Sequence, residues 1–121
     1  MPALATILIA LIALLHLYIL WFEMFAWETR GPKIFRSFSK DLFKPTKVLA
    51  ANQGLYNGFL AAGLIWSLLI ADPVWAKNVA TCFLIFVFVA GIYGAATASR
   101  RILYFQALPA ALALVVLYTL G

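Results

Sequence analysis

Charge is scarce in this sequence. Nine Lys or Arg, four Asp or Glu and one His are spread over 121 residues. A soluble surface needs far more polar cover than this, since soluble domains are about 45–50% apolar, whereas 66% of this chain is hydrophobic and its mean hydropathy is +1.02. One cysteine, Cys82, excludes an intrachain disulfide and any cysteine-based metal finger. Its neighbours Phe83, Leu84 and Ile85 mark a plain apolar position, without the basic, exposed setting of a reactive thiol. Alternation of polar and apolar residues is absent too, which excludes a transmembrane β-barrel. Repeats and low-complexity tails are missing. The first apolar run lacks a basic leading region and a small-residue cleavage site, and it carries Glu23, so it is expected to stay in the mature protein.

Long unbroken apolar runs are what the sequence has. A helix needs about 20 residues to cross about 30 Å of hydrocarbon, and four runs reach that length: 3–22, with helix continuing toward Trp27, then 48–71, 79–99 and 102–120. Backbone groups find no water in lipid, so such runs must be helical. The sequence therefore predicts an all-α fold, a four-helix transmembrane bundle forming a single domain over 1–121.

Eight of the nine basic residues fall in the first loop (Arg30, Lys33, Arg36, Lys40, Lys44, Lys47) and the third corner (Arg100, Arg101); Lys77 alone lies on the other side. Positive residues stay cytoplasmic, which predicts both termini outside and a multi-pass protein of the bacterial cytoplasmic membrane. Trp21, Trp27 and Tyr104 then fall at the inner boundary, and Trp66, Trp75 and Tyr118 toward the outer one. The net charge of +5 is gathered where anionic headgroups attract it, so lipid and not nucleic acid is the expected partner. Within 33–47, Ile34, Phe35, Phe38 and Leu42 recur at helical spacing with Lys33, Arg36, Lys40 and Lys44 between them. That pattern predicts a basic interfacial helix in the first cytoplasmic loop, broken by Pro45.

Polar residues inside the runs gather at one depth. At about 1.5 Å per residue, His16 lies roughly 5 Å to the cytoplasmic side of its span's middle, and Glu23 near the inner boundary. Asn52, Gln53 and Asn57 open the second span, Tyr93, Thr97 and Ser99 close the third, and Gln106 lies about one turn into the fourth. The outer half holds little beyond Thr6, Ser67 and Thr81. His16, Leu20, Glu23 and Trp27 share one helical face; Asn52 pairs with Tyr56, Gln53 with Asn57 and Tyr93 with Thr97 at four-residue spacing. Gly54, Gly58 and Ala62, and likewise Gly91, Ala95, Gly94 and Ala98, form smooth rows that let helices approach. Pro109 cannot donate to the carbonyl of Phe105.

An ionisable group inside a span is a functional candidate by default. Glu23 has a plainer role open to it, snorkelling to the interface to pair with a loop lysine. His16 has one in bonding a helix carbonyl or Gln106, and the amides in joining helices at roughly 1 kcal/mol each. One His and one Glu are too few ligands for a metal site.

The ordered set Asn52-Gln53-Gly54-Leu55-Tyr56-Asn57-Gly58-Phe59-Leu60-Ala61 resembles the signature of the "domain of unknown function 1304" family of bacteria and fungi. His16, Glu23 and Trp27 before it, and Ala90-Gly91-Ile92-Tyr93-Gly94, Thr97, Gln106 and Pro109 after it, extend the resemblance over nearly the whole chain. The resemblance implies a compact four-helix membrane protein and no assigned activity. A looser likeness, in architecture alone, is to the membrane-associated proteins of eicosanoid and glutathione metabolism. Their second helix carries an Arg and a Glu that Leu49, Ala50, Ala51 and Tyr56 do not supply here.

Four functional readings follow. The first is a site for a small or amphipathic molecule, lined by His16, Glu23, Asn52, Gln53, Tyr56, Asn57, Thr97 and Gln106. The second is an enzyme using His16 or Glu23 as acid or base. The third is proton-coupled transport by a homo-oligomer, and the fourth a structural or accessory membrane subunit. No cofactor is indicated by the sequence.

Overall fold

A computed structural model describes residues 1–120, and among them the chain is all-helical. Its elements are α1 (Ala3–Phe25), α2 (Trp27–Ile34), a 3-10 turn (Lys40–Leu42), α3 (Lys47–Leu69), α4 (Pro73–Thr97), a π-helical turn (Leu103–Ala107) and α5 (Leu108–Thr119). Two compact units divide the chain: Leu15–Phe59, and Met1–Leu14 together with the chain from Leu60 onward.

The second of these units packs segments of four helices on one core. Ala5, Ile9, Ile12 and Ala13 come from α1, Leu64 from α3, Ala80, Leu84 and Val87 from α4, and Ala110, Ala113, Val116 and Leu117 from α5. Their three- and four-residue spacing places each set on one helical face. Alanines at these positions let the backbones approach. Ser67 is buried here, and its hydroxyl donates to the Leu64 carbonyl at 2.6 Å. Gly63 meets the ring of Phe83 where a β-carbon would stand.

Helix α4 starts at Pro73, six residues ahead of the expected 79. Asp72 is extended (φ −68°, ψ 119°) and Pro73 occupies the first helical turn, where its fixed φ suits the helix and its missing N–H is not needed. Lys77 therefore lies within a helix and not in a loop. Its ammonium sits 4.2 Å from the centre of the Tyr118 ring, and Thr81 and Tyr118 share a hydrogen bond at 2.8 Å, tying α4 to α5.

The start of the last apolar run is wider than an α-helix. The Leu108 N–H donates to the carbonyl of Leu103, five residues back. Pro109, which follows, can donate to neither Phe105 nor Tyr104, so the wider register forms where the α ladder is already interrupted. Gly91 of α4 receives this turn: a β-carbon there would lie 2.5 Å from the Ala107 nitrogen and 2.9 Å from Gln106 Cβ.

In the unit Leu15–Phe59, helix α1 ends at Phe25 because Ala26 leaves helical geometry (φ −130°, ψ 19°). Trp27 thus drops off the face it was expected to share with His16, Leu20 and Glu23. Tertiary contacts hold it elsewhere: its ring lies 5.5 Å from Phe22 and 5.1 Å from Phe43, and its indole Nε1 donates to Thr46 Oγ1 at 3.0 Å.

The helix expected over 33–47 is not formed. The loop's helix is α2, which begins at Trp27 and stops two residues after Pro32, and beyond it only the 3-10 turn is helical. The reason lies in where the aromatic residues go. Phe35 stacks on Phe38 at 5.1 Å and on Phe22 at 6.1 Å, while Phe43 is buried against Trp27 and Gly31. Their apolar surface is taken up by an aromatic cluster, so it cannot line one face of a helix. Ser39 accepts from the Asp41 N–H and caps the 3-10 turn.

Two helices, α1 and α4, are long and apolar enough to cross a membrane, and Leu103–Thr119 is a shorter apolar helix. The outward face of α1 is apolar along its length: Leu4, Ile7, Leu11, Leu14, Tyr18, Trp21 and Phe25 are all exposed. Helix α3 has 23 residues, as many as α1, but Asn52, Gln53 and Asn57 lower its apolar content.

Candidate functional site

Glycine brings the polar residues of α1 and α3 together. A β-carbon at Gly54 would stand 2.9 Å from Met24 Cγ, 3.0 Å from Glu23 Cβ and 3.2 Å from the Leu20 carbonyl oxygen. One turn on, Gly58 lies against the Leu20 side chain. Without β-carbons at these two positions, α3 lies close on the α1 backbone in this unit, as small-xxx-small rows allow.

That approach sets the central contact. Asn57 Nδ2 donates to Glu23 Oε1 at 2.8 Å and also to the Gln53 carbonyl at 3.1 Å. Both amide hydrogens are thereby used. Glu23 is only 6% exposed and His16 is fully buried. A buried carboxyl with no donor would carry a large desolvation cost; the Asn57 amide offsets part of it. The second carboxyl oxygen, Oε2, and the amide oxygen Oδ1 of Asn57 make no hydrogen bond to the described residues. The pair therefore has accepting capacity left over.

The other expected site residues are placed differently. Asn52, Gln53 and Tyr56 lie on the first turns of α3; Asn52, Gln53 and Tyr56 are exposed, and the Tyr56 ring meets Phe59 edge-on at 5.5 Å. Thr97 and Gln106 belong to the unit that starts again at Leu60. Thr97 is exposed and its hydroxyl donates to the Tyr93 carbonyl at 2.7 Å, so it serves its own helix. Gln106 is half-buried in the π turn, against Gly91. Among the eight, Asn57 joins the Glu23 side chain of the other helix and the Gln53 carbonyl of its own.

Met24, and the hinge that Trp27 and Thr46 make, were not singled out by the sequence. Thr46 accepts from Trp27 Nε1 at 3.0 Å and donates to the Leu42 carbonyl at 2.6 Å, and its own carbonyl accepts the first bond of α3, from Ala50 at 2.8 Å. Pro45 followed by Thr46 is a recognisable helix start; the tryptophan partner is a tertiary feature that leaves no periodic trace. Beside it Lys47 Nζ lies 3.3 Å from Glu28 Oε1, a part-exposed pair that contributes little by itself.

Comparison with known proteins gives two matches. A family model described as "Protein of unknown function (DUF1304)" matches residues 10–118. The uncharacterized protein YpaA of Lactococcus lactis subsp. lactis (strain IL1403) is 30% identical over 117 residues, covering 95% of this chain and 97% of that protein. No solved structure matches the chain.

Proposed function

The chain belongs to the DUF1304 family of proteins of unknown function, and we propose that it is a four-span protein of the bacterial cytoplasmic membrane that holds a small amphipathic molecule in the cytoplasmic half. Both termini lie outside in this reading, and the basic segment from Arg30 to Lys47 lies at the inner headgroups. The apolar outward faces support the membrane assignment: Leu4, Ile7, Leu11 and Leu14 on α1, Phe86 and Val89 on α4, and Leu108, Leu112 and Val115 on α5 are exposed. Exposed apolar helix faces of this kind have lipid as their natural cover.

The observation that carries the binding reading is the contact of the buried Glu23 with the half-buried Asn57, which leaves two oxygens that can accept further hydrogen bonds. Asn52, Gln53 and Tyr56 add exposed polar groups on the adjoining turns of α3. Acceptors of this kind suit a head group with N–H or O–H donors, and the apolar helix faces suit its tail. The test is mass spectrometry of small molecules extracted from protein purified in detergent. A compound held in fixed ratio by the parent and lost from Glu23→Gln and Asn57→Leu supports the reading. A parent carrying nothing beyond bulk lipid sinks it.

One observation favours a second reading. Asn57 uses both amide hydrogens within the protein, as a residue would whose task is to pin α3 to α1. In that case the protein is a structural or accessory membrane subunit, and the pair only holds the helices.

A further inference from the structure

We infer that Arg30, held over the Trp21 ring and against the Tyr18 hydroxyl, is a binding site for the phosphate of an anionic phospholipid. The inference rests on the membrane reading above, not on the Glu23–Asn57 pair.

The arrangement depends on the break after Phe25. In one continuous helix Arg30 would stand nine residues past Trp21, about 13 Å along the axis and on the opposite face at about 100° per residue. The turn at Ala26 instead brings the guanidinium back. Its central carbon lies 5.5 Å from the centre of the Trp21 ring, and Nη1 donates to the Tyr18 hydroxyl at 3.5 Å, the long limit of such a bond. Tyr18 and Trp21 are themselves in contact at 5.8 Å. A cation over an aromatic face is attracted by the ring's electron density, so the side chain is oriented before any ligand arrives.

No carboxylate neutralises it. Among the described residues, Arg30 has no acid within ion-pair distance, and the nearby acid of its own helix, Glu28, is held by Lys47. A guanidinium has five N–H donors in a planar fork, of which one is in use. Four remain for an anion, and the fork fits two phosphate oxygens at once.

The position selects lipid over other anions. Along the exposed face of α1, the aliphatic residues Ile7, Leu11 and Leu14 give way to Tyr18, Trp21 and Phe25, and Arg30 follows. Acyl-facing residues, an aromatic belt and a cation succeed one another as do chains, glycerol and phosphate in a leaflet. Lys33, Arg36, Lys40, Lys44 and Lys47 raise the local anion concentration, and Arg30 is the one cation of this segment that, among the described residues, lies over an aromatic ring.

Native mass spectrometry of the detergent-solubilised protein, titrated with phosphatidylglycerol or phosphatidylcholine, tests this. The parent is expected to retain phosphatidylglycerol in preference. Arg30→Gln should lower that retention about tenfold, the effect of one lost charge-assisted contact. Arg30→Lys, which keeps the charge but not the fork, should fall most of the way with it. Lys40→Gln should change little. Equal losses in Arg30→Gln and Lys40→Gln would mean diffuse attraction and overturn the site. So would inorganic phosphate binding to the delipidated protein as well as the lipid does. Alkaline carbonate extraction separates the two levels: a chain released from membranes ends the membrane reading itself, while a retained chain with unchanged Arg30→Gln ends only this site.

Discussion

Asn57 donates to the Glu23 carboxyl across 2.8 Å, with Gly54 in the turn before it lying directly on Glu23 Cβ. The contact is made by two helices whose polar residues lie 34 positions apart, and its energetics separate binding from structure. Asn57→Leu leaves a buried carboxyl without its donor, a loss of about 1–3 kcal/mol. Glu23→Gln keeps an acceptor for the Asn57 amide and should cost less. In a pin, Asn57→Leu melts several degrees below the parent in one fixed detergent, and adding Glu23→Leu recovers part of the loss, because the two changes remove one shared interaction. In a binding site held at a cost to stability, Glu23→Gln and His16→Ala melt at or above the parent. Thermal unfolding of these variants decides between the two.

Gly91 offers a test of the π turn. A β-carbon there meets the Ala107 nitrogen at 2.5 Å, which is backbone and cannot swing aside; at Gly94 it meets Ile102 Cγ2 at 3.0 Å, the end of a side chain. Alanine in place of a helical glycine gains roughly 0.5–1 kcal/mol from the chain's reduced freedom. Overpacking costs about 1–3 kcal/mol. Gly91→Ala is therefore expected to lower the melting temperature clearly, and Gly94→Ala to leave it nearly unchanged. Equal effects at both positions would contradict the close approach of α4 to the turn.

Trp27 holds the first loop by its ring and its indole N–H together. Trp27→Phe keeps the packing against Phe22 and Phe43 but loses the bond to Thr46, at a cost of about 1 kcal/mol. Trp27→Ala loses both. Limited trypsin digestion of the detergent-solubilised protein should cut after Lys33 and Lys40 slowly in the parent, faster in Trp27→Phe and fastest in Trp27→Ala. Identical cleavage rates would show that the aromatic cluster does not restrain the loop.

Periodicity and composition revealed the apolar helices, because a 20-residue apolar run leaves few alternatives to a helix. They also put Glu23 and Asn57 at one depth, but spacing names no partner for either; the contact itself depends on Gly54 letting α3 onto the α1 backbone. The loop departs from its local pattern. Ile34, Phe35, Phe38 and Leu42 do recur at helical spacing, but Phe35 and Phe38 stack on each other and Phe43 inserts against Gly31, contacts that no local pattern encodes. The π turn was legible only as an interruption at Pro109. The wider register became visible through Leu108 bonding to Leu103. Thr97 entered the candidate site by its depth, and the structure gives its hydroxyl to the carbonyl of Tyr93.

Orientation can be read directly by cysteine labelling. Cys82 is exposed and is the one cysteine of the chain, so Cys82→Ser provides a clean background. Ser37 and Asp72 are both exposed, and neither the Ser37 side chain nor that of Asp72 caps or bonds a neighbour. Ser37→Cys places a thiol among Lys33, Arg36 and Lys40; Asp72→Cys places one at the start of α4, on the side that holds only Lys77. The distribution of basic residues predicts that a membrane-impermeant maleimide labels Asp72→Cys in intact cells, and Ser37→Cys only after the membrane is permeabilised. The opposite pattern would turn the protein over, moving Arg30, Glu23 and Asn57 to the outer leaflet and with them the lipid and the ligand they could meet. Labelling of both thiols in intact cells would mean that α3 does not cross the bilayer, and the four-span architecture would fall.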